Sequence, residues 1–195
     1  MAHWPYPAIQ ASFGDMKGIT AAVGDAMQVT ASETRRDEIA NILGKPLEFQ
    51  PRARGDLDAI IALTSHLEAQ ALVPALRYHF ADDLPVFATS QIARGDDLSD
   101  LAGFRLTEMP LFSSPDTKSR ALVSAFELRG NPLGELYALG IDAYAIATWL
   151  PLLKRSSEIA LNGATGEISL SAEGAFHRIL NVSEVNGAGG LDSAL

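Results

Sequence analysis

The sequence predicts an α/β fold: a three-layer lobe with a parallel sheet flanked by helices, and antiparallel hairpin strands near the C-terminus. Three observations predict it. Asp58-Ala-Ile-Ile-Ala-Leu63 and Pro85-Val-Phe-Ala-Thr89 are continuous apolar runs bounded by polar residues, the pattern of strands covered on both faces. The stretch between them has a helical repeat, so strand, helix and strand follow one another within about thirty residues as a βαβ unit. From Ile159 onward the period changes to short strands separated by Gly- and Asn-containing turns.

The elements follow in chain order. Residues 1–29 form an N-terminal segment in which Gly18-Ile-Thr-Ala-Ala-Val23 is a candidate strand. Thr30-Ala-Ser-Glu33 reads as a capping box opening a helix over 31–43, with Ile39, Ile42 and Leu43 inward and Gly44 as its stop. Lys45 to Gly55 carries Pro and Gly without a helical period and reads as an extended piece and loop. A second capping box, Ser65-His-Leu-Glu68, starts a helix that turns Leu67, Ala71, Leu72, Ala75 and Leu76 inward, with Pro74 as a kink.

Ile92 to Gly103 reads as a surface loop and Phe104 to Met109 as a short strand. Ser114-Pro115 places an N-cap before a helical Pro, with Leu122, Val123 and Phe126 inward, until Asn131-Pro132 breaks that helix. A longer helix runs through Leu139, Ala143, Ile146, Ala147 and Leu150, with Trp149 on its inner face and Pro151 near its end. Strands at Ile159–Leu161, Glu167–Leu170 and Phe176–Val182 are joined by turns at Asn162–Gly166 and Ala172–Gly174. Residues 30–185 are expected to be a single lobe, and 186–195 a frayed tail.

Composition narrows the function classes. A formal charge of -9 argues against nucleic acid as the main partner, because phosphate binding needs a surplus of Lys and Arg on one face. The absence of Cys excludes disulfides, thiolate zinc sites and a cysteine nucleophile. The longest apolar run falls short of the roughly 18–20 residues of a membrane span, and the N-terminus shows no signal sequence.

Candidate chemistry is sparse. The four His residues, 3, 66, 79 and 177, have no metal-ligand spacing. His66 beside Ser65 reads as an exposed or hydrogen-bonded structural residue, and no Gly-x-Ser-x-Gly elbow supports a triad. Asp96, Asp97 and Asp100 fail the EF-hand spacing and read as a solvated acidic loop. Asn162-Gly-Ala-Thr-Gly166 lacks the Lys and following helix of a phosphate loop and reads as a hairpin turn. Arg52 and Arg54 could grip a carboxylate, with a surface salt bridge as the alternative. No metal, cofactor or catalytic residue is assigned, and a non-enzyme is expected.

Two stretches resemble known families. Leu139-Gly-Ile-Asp-Ala-Tyr144 followed by Asn162-Gly-Ala-Thr-Gly-Glu-Ile-Ser-Leu-Ser-Ala-Glu-Gly174 resembles the closing helix and hairpin of the type I periplasmic-binding-protein fold. More narrowly, the run from Glu48 to Asp58, Leu72-Val-Pro-Ala-Leu-Arg-Tyr-His-Phe-Ala81, Leu84 to Ser90, Asp100 to Phe104 and Glu108-Met-Pro110 together resemble the LppC lipoprotein family, which includes the LpoA-type activators.

That resemblance implies an outer-membrane-anchored periplasmic protein that binds and activates a class A penicillin-binding protein in peptidoglycan synthesis. This chain would supply one non-catalytic regulator lobe, without a targeting signal of its own. The alternative is a periplasmic substrate-binding protein of an amino-acid-type ABC transporter. In that case Ser65, His66, Thr89, Ser90 and Gln91, at the strand ends, should line the ligand pocket. A repressor effector domain ranks third, against the acidic balance.

Overall fold

The computed structural model describes residues 8–46, 48, 54–95, 97–129 and 131–194. Two compact units divide the chain. The first comprises Met1–Ile60 and Leu67–Pro85, and the second Ile61–His66 and Val86–Leu195.

The first unit is helical. Helix α1 (Gly18–Ala26) occupies the stretch expected as a strand. Asp15 catches the Gly18 N–H with both its side chain (2.9 Å) and its carbonyl (3.1 Å), and the following Ala21 and Ala22 are strong helix formers. Helix α2 (Val29–Leu43) ends as expected at Gly44, whose φ of 63° is the left-handed conformation glycine adopts without strain. Its start differs: the chain enters through Gln28 in a left-handed turn, so the Thr30 box lies inside the first turn and is not the cap. Ile39, Ile42 and Leu43 are exposed rather than inward.

Helix α3 (His66–Tyr78) continues through Pro74 and contributes its residues from Leu67 onward to this unit. Leu72, Ala75 and Leu76 are buried as the helical period predicts, joined by Ala69, whereas Ala71 is half-buried and Leu67 is exposed. Just past it, the His79 ring seats on α1. Its Nε2 lies 2.9 Å from the Thr20 carbonyl, and a Cβ added at Gly24 would fall 2.8 Å from His79 Cε1. Only glycine lets α1 approach the imidazole this closely.

The second unit holds two sheets. The larger has the order β1 (Ile60–Ala62), β2 (Val86–Ala88), β3 (Arg105–Thr107), β7 (Val182–Val185) and β8 (Leu191–Ser193). Strands β2 and β3 are parallel, while β3 and β7, and β7 and β8, are antiparallel. The sheet therefore combines a parallel pair with antiparallel strands from the C-terminal part, as the sequence predicts. The smaller sheet is the meander β4 (Ala160–Asn162), β5 (Glu167–Leu170) and β6 (Phe176–Ile179).

Three strand expectations change. β1 is an edge strand, so Ile61 (69 % exposed) and Leu63 (78 % exposed) are uncovered and only Ala62 is buried. The predicted strand Phe176–Val182 is two strands: β6 stays in the meander, and β7 crosses to the larger sheet. β8 forms within the stretch expected to fray, with Asn186 Oδ1 accepting from Ala188 N (3.0 Å) and Gly190 N (2.8 Å) to close the β7–β8 turn.

The connection expected as a surface loop contains two 3-10 turns, Ser90–Arg94 and Ser99–Leu101, which bury Ile92, Leu98 and Leu101. Helix α4 (Pro110–Ser113) begins with Pro at its first position. Helix α5 (Thr117–Ala125) is capped by Asp116, not Ser114, through the Ser119 N–H at 2.7 Å. Leu111, Phe112, Leu128 and Ala138 form a cluster against which Met109, Leu122, Val123 and Ala164 pack. Burial of a leucine such as Leu128 contributes roughly 1.5–3 kcal/mol. Phe126, expected inward, is exposed and stacks at 5.7 Å on Tyr137.

Helix α6 (Gly134–Leu153) is apolar around its circumference. By length and composition alone it could cross a membrane, contrary to the reading of the sequence. Only Gly134, Ala138, Asp142 and Leu153 are buried, and Trp149 is half exposed rather than in the core.

Candidate functional site

In a sheet with parallel strands, ligands meet the protein beyond the carboxyl ends of those strands, and in the second unit a cavity of about 90 Å³ opens there. Ser90 follows β2 and Glu108 follows β3, and both line it. The 3-10 turn adds Arg94, the segment after α5 adds Arg129, and the first turn of α6 adds Glu135. Phe112, Leu128, Pro132 and Leu191 supply the apolar wall.

Four charges of alternating sign surround this small space. Arg94 Nη2 donates to Glu135 Oε1 across 41 residues of sequence, an ion pair about half exposed. Arg129 Nη2 donates to the Phe112 carbonyl, which fixes the guanidinium over the end of α4. Glu108 Oε1 accepts the Met109 N–H at 2.7 Å. Burial pushes the Glu108 carboxyl above its ordinary range, and the Glu135 charge adds to that; the Met109 N–H, Arg129 and Arg94 oppose it. A partly desolvated carboxylate beside two guanidiniums is equipped to accept a hydrogen bond from a bound cationic group.

The sequence-derived ligand set divides on this geometry. Ser90 lines the cavity. Ser65 is exposed and immediately precedes α3. His66 opens α3 with its Nδ1 2.9 Å from the Ile92 carbonyl, so Nδ1 carries the proton and donates. A Cβ on Gly95 would fall 2.3 Å from the same ring, so the imidazole lies directly over that glycine. The structure thus brings His66 onto the Ser90–Arg94 turn, with the ring held by backbone. Thr89 is extended at the entry of the turn, and Gln91 is exposed on it.

The other sequence candidates are local. Arg54 forms a two-point pair with Asp56 at 2.6 Å for each contact, the salt bridge weighed against carboxylate binding, while Arg52 lies outside the described residues. Asp97 closes a turn by accepting from Ser99 N (2.8 Å) and Ser99 Oγ (2.9 Å), which hold its carboxyl below the usual range; Asp96 is outside the described residues, as is His3. Asn162–Gly166 is the β4–β5 hairpin turn, with Gly163 N donating to Gly166 O at 2.8 Å.

Arg94, Arg129 and Glu135 were not legible as site residues. The available signal was positional and covered Arg94 alone, which lies a turn beyond the predicted strand end at Thr89, where clefts form; Glu108 falls inside the strand predicted over Phe104 to Met109. Arg129 and Glu135 flank a helix break and carry no such signal.

Comparison with known proteins places this geometry in context. The family model described as "LppC putative lipoprotein" matches residues 8–186. The penicillin-binding protein activator LpoA of Vibrio cholerae serotype O1 is 25 % identical over 177 residues, covering 88 % of this chain and 29 % of the relative. LpoA of Aliivibrio fischeri is 26 % identical over 172 residues, 85 % of this chain and 28 % of the relative. The chain thus spans less than a third of the curated relatives' length. Among solved structures, the LpoA (YraM) C-domain from Haemophilus influenzae, described as a regulator of PBP1A, aligns with a TM-score of 0.59 at 16 % identity, covering 90 % of this chain and 57 % of that one. Full-length LpoA from the same organism gives 0.59 at 14 % identity over 92 % of this chain and 39 % of that one. At these identities the structural likeness establishes the fold.

Proposed function

The chain belongs to the LppC lipoprotein family, and from that premise we propose that it is a non-catalytic regulator lobe that binds and activates a class A penicillin-binding protein in peptidoglycan synthesis. The observation that carries this reading is the family match over residues 8–186, together with relatives named as penicillin-binding protein activators. The same relationship supports a place in the periplasm, held at the outer membrane by the parent lipoprotein.

A regulator needs a folded surface, not a reaction centre, and the described elements suit that role. Several charged groups of the second unit are engaged in turns, caps and ion pairs: Asp116 on Ser119, Asp97 on Ser99, Arg105 on Glu184. The test is to titrate the purified chain into the soluble periplasmic part of a class A penicillin-binding protein, following heat of binding and the rate of glycan-strand synthesis. A saturable complex with faster synthesis is expected. No complex with either this chain or a longer version spanning the relatives' whole length would overturn the reading.

A further inference from the structure

We propose that the outward face of α6 is a self-association surface, on which a second copy of this chain packs as an antiparallel, two-fold symmetric helix pair. The face lies wholly within the second unit, and the inference does not rest on the penicillin-binding protein reading.

Charge points to the face first. Gly134, Ala138, Asp142 and Leu153 turn one side of α6 into the protein, and helical spacing gathers Leu136, Leu139, Gly140, Ala143, Tyr144 and Ala147 on the other, all exposed. Between Leu136 and Leu153 the only charged residue is Asp142, which is buried and accepts from the β4–β5 turn. The solvent side of a surface helix ordinarily carries charged and polar residues. On a chain of net charge -9, this uncharged strip is where two copies meet without opposing like charges.

Shape then selects the same helix as its occupant. Gly140 opens onto empty space, with nothing within 4 Å of a Cβ built there, and Ala143 and Ala147 continue the small side of the strip. Leu136 (60 % exposed) and Tyr144 (79 % exposed) stand out from it. A partner helix related by a two-fold axis close to the level of Asp142 sets Tyr144 of each copy over Gly140 of the other and Leu136 against Ala147, large on small at each meeting point. One strip is thus complementary to itself. Area agrees: with the apolar residues that flank it, the strip exposes on the order of 600 Å², so a pair hides about 1,200 Å², where specific interfaces begin.

A bilayer suits the face less well. Crossing one would tear Asp142 from the Ala164 and Thr165 amides and place its carboxylate in hydrocarbon. Lying on one needs basic residues along the apolar strip, and Lys154 and Arg155 stand only past its end.

The experiment is sedimentation velocity on the full chain from about 1 to 200 μM, with the melting temperature of each dilute variant as the control for folding. A concentration-dependent shift from monomer to dimer is expected. Gly140→Leu should weaken the dimer about tenfold or more without lowering the melting temperature, because the space above Gly140 is open and leucine favours helix over glycine. Ala143→Glu and Ala143→Lys should each abolish association alone and restore it when mixed, since both side chains lie beside the axis. A chain that stays monomeric throughout overturns the proposal. So does undiminished association of Gly140→Leu, or a mixture of the two Ala143 variants that stays monomeric. Two other occupants would overturn it as well. Lipid is the occupant if a monomeric chain floats with vesicles of phosphatidylethanolamine and phosphatidylglycerol. Further chain is the occupant if a longer version spanning the relatives' whole length is monomeric and is destabilised by Ala143→Glu. No penicillin-binding protein is present in these measurements, so failure here leaves that titration untouched, and the reverse also holds.

Discussion

Asp142, buried in the middle of α6, holds the hairpin turn through Thr165: its Oδ2 accepts the buried Thr165 N–H at 2.8 Å while Oδ1 accepts that of Ala164 at 2.6 Å. This is the physical content of an Asp-Ala helix followed by a Gly-x-Thr-Gly turn. The turn presents consecutive N–H groups, a concavity that suits an anion, and the helix carboxylate fills it. Gly163 is required by proximity, since a Cβ there would lie 2.7 Å from Asp142 Oδ1.

Replacing Asp142 by Ala should therefore destabilise the chain by about 2–4 kcal/mol, because two amides lose a charged acceptor and one of them is buried. Urea unfolding measures it. A loss below about 0.5 kcal/mol would show that the turn is held by its own strands.

Gly95→Ala should displace the His66 ring, since the new methyl would start 2.3 Å from it. Overpacking of this kind costs about 1–3 kcal/mol. The specific reading is a double-mutant cycle with His66→Ala: removing the ring should recover most of the loss. Additive effects would mean that the glycine matters for another reason.

Glu108→Gln should raise stability at neutral pH and flatten its pH dependence. A carboxyl whose folded value is raised binds its proton more tightly in the native state. Its contribution is therefore best at low pH and is lost as pH rises through the raised folded value. Thermal melts from acid to neutral pH test this; a parent and variant with parallel profiles would refute it.

Asp116→Ala should lower the melting temperature by a few degrees above the ordinary carboxylate range and have little effect in acid. The Ser119 N–H and hydroxyl hold this carboxyl below its usual value. Its stabilisation is present above the unfolded value and disappears as pH falls through the depressed folded one. Faster amide exchange confined to α5 would locate the effect.

Local chemistry was the part of this fold legible in sequence. β2, β3, the Asn162–Gly166 turn and the Gly44 helix stop each depend on neighbours within a few residues, and each stands where the pattern places it. What was misread depends on partners far away. Gly18-Ile-Thr-Ala-Ala-Val23 has strand-like residues but is a helix, because Asp15 nucleates it and His79 packs on it 55 residues beyond Gly24. β1 reads as a covered strand but lies at an edge. The cavity charges come from separate elements, and nothing in a one-dimensional pattern says that Arg94 and Glu135 will meet.

The crossing of β7 to β3 sets an order of events during synthesis. Arg105 is paired with Glu184, 79 residues later, and the Arg105 side chain meets that of Glu184 at 3.0 Å. Until Val182–Val185 has left the ribosome, one side of β3 has no partner, and its unpaired N–H and C=O groups form an open edge for other chains to join. Strands β7 and β8 are thus the closing seam of the larger sheet, and a nascent chain released before Val182 would carry an adhesive edge on β3.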